Sequence, residues 1–146
     1  MLERNAFILS SFLDTKTAFA AVGHCAVWSD LDTSDVERNA FFEELNARHP
    51  YNTLEEAEWA ALVDQLWDRH RKDGREALLA EATTALSPGQ QLTAFAVACK
   101  IVASDGEVNH DEVNFLIRLA EINGLNILES RTILSVMQIL CQDALA

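Results

Sequence analysis

The chain has 146 residues, 49% of them apolar, which is enough for one domain around a packed core and too many for a disordered chain. Eleven Lys and Arg against 23 Asp and Glu give a formal charge of −12, which opposes binding to nucleic-acid phosphates and favours cations, basic partners or plain solubility. Cys25, Cys99 and Cys141 form no CxxC pair and read as buried free thiols of a reducing compartment. No stretch approaches the roughly 18–20 apolar residues of a membrane span. The N-terminal MLERNAFILSSF is too interrupted for a secretory signal, so a cytoplasmic protein without direct membrane insertion is expected.

Two prolines, five glycines and apolar residues spaced by three and four predict an all-α chain. In chain order, helices are expected near 3–13, 16–29, 34–48, 54–71, 74–85, 88–104, 110–123 and 127–144. Asp14 or Thr15 opens the second. Ser34-x-x-Glu37, Thr53-x-x-Glu56, Asp73-x-x-Glu76, Ser87-Pro88-x-Gln90, Asn109-x-x-Glu112 and Asn126-x-x-Glu129 have capping-box spacing. His49-Pro50 and Gly124 read as stops, Gly124 as a left-handed cap. Leu62 and Leu66, with Trp59 and Val63, mark a buried face. His24, His49 and His70 read as helix-surface or terminal residues.

The chain also repeats itself. At an offset of 75, Ala21/Ala96, Val22/Val97, Val27/Val102, Ser29/Ser104, Asp30/Asp105, Glu37/Glu112 and Asn39/Asn114 are identical. One domain over 1–146 is expected, with repeat one near 16–71, a connector near 74–85 and repeat two near 88–144, as a compact bundle of about seven or eight helices. Each repeat runs an apolar helix into Ser-Asp, an acidic loop and a Glu seven residues after the Asp. The loops resemble hard-cation ligands but are not EF-hands: position six is Asp35 or His110 instead of Gly, and position twelve is Phe41 or Leu116 instead of Glu. Capping accounts for Glu37 and Glu112. It does not account for Asp30 and Asp105, whose charge faces the negative end of the preceding helix. Cation or partner binding and plain loop structure both remain open.

The segment AFAVACKIVASDGEVNHDEVNFLIRLA resembles the tellurite-resistance TerB-like family, in which a helix ends in Ala-x-Asp-Gly before an acidic loop and a Glu seven residues on. The resemblance covers Phe95–Gly124 well and, through the weaker first copy, most of the chain from about Phe19. It implies an all-helical fold of two related halves whose acids gather into a metal-binding patch: Asp30, Asp32 and Glu37 from the first copy, Asp105, Glu107 and Glu112 from the second. Leu31 stands where the family has Gly, so the first loop departs from the pattern. The resemblance further implies a bacterial stress or tellurite-resistance setting, with protein partners that include membrane-associated ones.

No nucleophile elbow, P-loop or dinucleotide fingerprint is present. Glu107-x-x-His110 has di-iron spacing but occurs once, at a helix start. His24 and Cys25, adjacent on a helix, point about 100° apart and do not form a nucleophile–base pair. The expectation is a non-enzymatic module that binds Ca²⁺, Mg²⁺ or Mn²⁺, or a basic partner, through its acidic loops. The alternative is a metal-independent protein-interaction bundle. A shared patch requires Ala20–Val27 and Phe95–Val102 to run parallel; the sequence leaves their direction open, and the resemblance favours convergence.

Overall fold

A computed structural model of the chain describes residues 13–30 and 34–145. Within them lie seven α-helices and no strand: α1 Thr15–Val27, α2 Asp35–Asn46, α3 Glu56–Asp73, α4 Arg75–Ala85, α5 Pro88–Ala103, α6 His110–Ile122 and α7 Ile127–Leu140, with a 3₁₀ turn at Tyr51–Thr53. The helix expected near 3–13 falls outside the described residues.

The capping chemistry sets most boundaries. Asp14 accepts the Thr17 amide at 2.8 Å, Ser87 and Gln90 close a reciprocal box on α5, and Asn109 and Glu112 close another on α6. Gly124, at φ +66°, ends α6 with Leu125 N donating back to Ala120 O, the left-handed stop expected there. Two expected boxes do not form. Thr53 is inside the 3₁₀ turn, where its hydroxyl donates to Pro50 O at 2.7 Å, so α3 opens instead on Glu55 with Glu58 reaching back. Asp73 belongs to the end of α3 and accepts from Arg69 Nε at 3.1 Å; the turn into α4 is made by Gly74 at φ +87°. Asn126 caps α7, which ends at Leu140, four residues earlier than the pattern suggested.

The centre is the pair α1 and α5. Ala18, Ala20, Ala21, Gly23 and Ala26 of α1 and Ala94, Ala98, Cys99 and Ala103 of α5 are all buried, so small side chains let the two backbones approach. Gly23 makes room for a side chain of α2: a Cβ there would stand 2.9 Å from Phe41 Cδ2, and 3.5 Å from Ile101 Cδ1 of α5. α2, α4 and α7 cover this pair, and α3 lies outside α1 and α4. Leu62 and Leu66 form the buried face of α3, as expected, with Trp59 and Val63 half-buried beside them.

Two of the histidines are not surface residues of the expected kind. His24 is buried on α1, and its Nε2 lies 2.9 Å from Nδ1 of His70 on α3. Trp67 stacks on His70 at 5.3 Å and meets His24 and Trp28 edge-on at 4.9 and 4.8 Å. Burial, and then the neighbouring His70, pushes His24 down to about 4, so the pair is neutral and joined by one N–H···N bond. Cys25 and Cys99 are buried free thiols, while Cys141 is half-buried at the end of α7.

Candidate functional site

Matched residues close α1 and α5 in the same way. Ser29 Oγ donates to Ala26 O at 2.8 Å and Ser104 Oγ to Ile101 O at 2.6 Å, each turning the chain out of its helix into an acidic loop. Asn109, from the second loop, donates through Nδ2 to Asp30 Oδ2 in the first. The two central helices therefore end at the same pole of the bundle, and the acidic loops converge.

The next helices then bring in the glutamates. Phe41 and Leu116 are buried, and they lie one turn after Glu37 and Glu112 on the same face of α2 and α6. Packing that face inward draws both carboxyl groups with it, so Glu37 and Glu112 are each only 2% exposed. Their carboxyl groups face each other closely enough to share a proton. Burial, followed by the charge of Glu112, pushes Glu37 up to about 9; Asp105 and Asp30 add to the rise. Glu112 is also raised, chiefly by burial, although the Asn109 amide and the bond to Glu37 pull the other way. Two adjacent buried carboxylates cannot both stay charged unaided, so the pair holds a shared proton.

Glu112 fills the capping role read from the sequence: its Oε1 accepts Asn109 N at 3.0 Å while Asn109 Oδ1 accepts Glu112 N at 2.9 Å. Glu37 fills only half of it. Its amide donates to Ser34 Oγ at 3.2 Å, but its carboxyl turns to Glu112 instead of back to Ser34. Neither Glu37 Oε2 nor Glu112 Oε2 receives a donor from any protein N–H or O–H, apart from the proton the pair shares. Capping thus accounts for Glu112 Oε1 but not for the Glu37 carboxyl or for either buried Oε2, although sequence reasoning had assigned both glutamates to it.

The aspartates are better accounted for than their sequence suggested. Asp30 is half-buried and takes the Asn109 amide. Asp105 is exposed and accepts Glu107 N at 3.0 Å across a turn. The negative end of α1 is met by Arg75, whose Nη1 donates to Trp28 O at 3.0 Å and whose guanidinium lies 5.7 Å over the Phe115 ring. The fields of Asp30 and Asp105 reach both glutamates, so these four acids form one cluster. Glu107 is exposed, offering the turn its amide, and Asp32 falls outside the described residues. Among the described residues, no three Asp, Glu, His or Cys side chains stand in the arrangement of a ready-made metal centre.

Because an amide side chain at 105 would still accept Glu107 N, Asp105→Asn should leave metal-free stability unchanged or raise it by up to about 0.5 kcal/mol. Urea melts measure this. A loss above about 1 kcal/mol would show that the Asp105 charge itself holds the loop.

A family model described as tellurite resistance protein TerB matches residues 16–134. The chain belongs to the TerB family. The matched span runs from α1 into α7 and contains both acidic loops and both buried glutamates. No curated protein and no solved structure matches the chain. Among the described residues of this TerB-family chain, no helix is long and apolar enough to cross a membrane.

Proposed function

We propose that this TerB-family chain is a non-enzymatic, cytoplasmic module that takes up a divalent cation between its two acidic loops. The observation that carries this reading is the buried Glu37–Glu112 pair, each with an Oε2 that receives no protein donor beyond the proton the pair shares. A hard cation wants about six or more oxygens. Glu37 and Glu112 would hold it from inside. Asp30 and Asp105 would complete the set by turning from Asn109 and the Glu107 amide. The cation would replace the shared proton and supply the positive charge that the cluster lacks. Glu107 and Asp32 belong to an outer ring at most. The stress and tellurite setting of the family is the context we infer for this uptake.

Thermal melts near pH 7.5 with Ca²⁺, Mg²⁺ or Mn²⁺ test the reading. A ligand that binds only the folded state at one hundred times its Kd stabilises it by about 2.7 kcal/mol, so at least one of the three ions should raise Tm clearly. Superimposable melts with all three would sink it.

A second reading, a surface for a protein partner, is favoured by α7. No residue of this helix is fully buried, and Leu128, Val136, Ile139 and Leu140 are between 51% and 73% exposed. So much exposed aliphatic surface on one short helix fits a docking face.

A further inference from the structure

The pole opposite the acidic loops carries a second site. There the N-terminal ends of α1 and α5 flank a pocket of about 570 Å³ whose lining includes Lys16, Arg48 and His49 and no carboxylate. In a chain with 23 Asp and Glu, that segregation of charge is pronounced. Two acids stand near the rim. Asp14 accepts the Thr17 amide at the start of its own helix, and its charge reaches Lys16 and Tyr51. Glu44 binds Lys100 as well as Arg48, whose Nη2 is 3.5 Å away. Arg48 also donates Nε to Glu44 O at 3.0 Å, which leaves most of its five N–H donors for another acceptor. Among the described residues Lys16 has no ion pair.

Phe19 and Pro50 add apolar surface to a wall that also holds Thr15, Gln90 and Thr93, and the Arg48 guanidinium lies 5.5 Å over the Phe19 ring. Tyr51, 2% exposed, packs behind them with its hydroxyl donating to Lys16 O at 2.5 Å. α1 and α5 both start at this pocket; the Asp14 carboxylate offsets the positive end of α1, whereas α5 opens on Ser87 with no acid in its first turn and keeps its positive end. The arrangement suits a doubly charged group on a flat apolar body.

We propose that this pocket binds a phosphomonoester, with its phosphate against Lys16, Arg48 and His49 and its apolar body on Phe19 and Pro50. Phenyl phosphate is the probe, followed by ¹⁵N–¹H NMR titration of the full chain. The amides of Lys16, Arg48 and Gly89 should shift saturably, and inorganic phosphate should bind more weakly because it leaves the rings uncovered. Lys16→Met should weaken phenyl phosphate about tenfold. Gly89→Glu is the sharper variant. Its Cβ would meet nothing within 4 Å, and an acid in the first turn of α5 suits the helix dipole. Its Tm should therefore hold or rise while binding is lost.

A parallel arm with vesicles containing phosphatidic acid separates a lipid source from a soluble one. Vesicle binding that Gly89→Glu abolishes assigns the pocket to the lipid phosphomonoester. Vesicle binding that survives Gly89→Glu, phenyl phosphate binding unaltered in both variants, or no saturable shift together with no vesicle binding would each overturn the proposal.

Discussion

Replacing Glu37 with glutamine should stabilise the metal-free protein by about 2 to 3 kcal/mol at pH 7 and abolish its response to divalent cations. Glu37 is pushed up to about 9 in the folded chain from an ordinary 4.5. Between those values the folded state holds a proton that the unfolded state has released, so stability falls as pH rises through the window. Glutamine offers Glu112 a similar donor without taking up a proton, and the pH slope should vanish with it. His24 opposes this only in acid. Held down at about 4 against 6.5, it makes stability rise with pH between those values and contributes no slope above them. Urea melts from about pH 7 to 8 therefore isolate the glutamates, below the range in which the unfolded chain releases the protons that buried Cys25 and Cys99 keep. If Glu37→Gln is less stable than wild type, or keeps the same slope, the two carboxyl groups do not share a proton.

Phe41→Ala should cost about 3 to 5 kcal/mol. The ring is 5% exposed, packs edge-on to Phe42 at 5.2 Å and closes over Gly23, whose missing side chain makes room for it. The loss should also weaken cation binding, because Glu37 lies one turn earlier on the face that Phe41 anchors. Phe41→Leu, which keeps most of the volume, should recover more than half of both effects. Urea melts together with a Ca²⁺ titration decide the matter. A cost under about 1 kcal/mol would mean that α2 is held by something other than this contact.

The helices were legible because their ends carry local chemistry: Asp14, Ser34, Ser87, Asn109 and Asn126 all cap where the sequence places them. The Thr53 and Asp73 boxes failed because a 3₁₀ turn and an i, i+4 contact within α3 claimed those side chains first. The family and the all-helical fold could be read for the same reason: both rest on runs of adjacent residues. The burial of Glu37 and Glu112 could not, since it depends on two helices meeting from distant parts of the chain. One signal was available: an apolar residue follows each glutamate by four positions, Phe41 and Leu116, which turns the carboxyl inward with the core face. The His24–His70 contact spans 46 residues and left no mark in the local pattern.

The pairing of the glutamates also bears on how the chain is made. Glu37 and Glu112 are 75 positions apart, so at about 5–20 residues per second Glu37 leaves the ribosome roughly 4 to 15 s before its partner. During that interval α2 carries an ordinary solvated carboxylate, and nothing asks it to take up a proton. The expense of burial arises only when α6 docks against α2. A cation present at that moment would lower the barrier to closure as well as deepen the final state. Its concentration in the cell could then govern how quickly newly made chains mature.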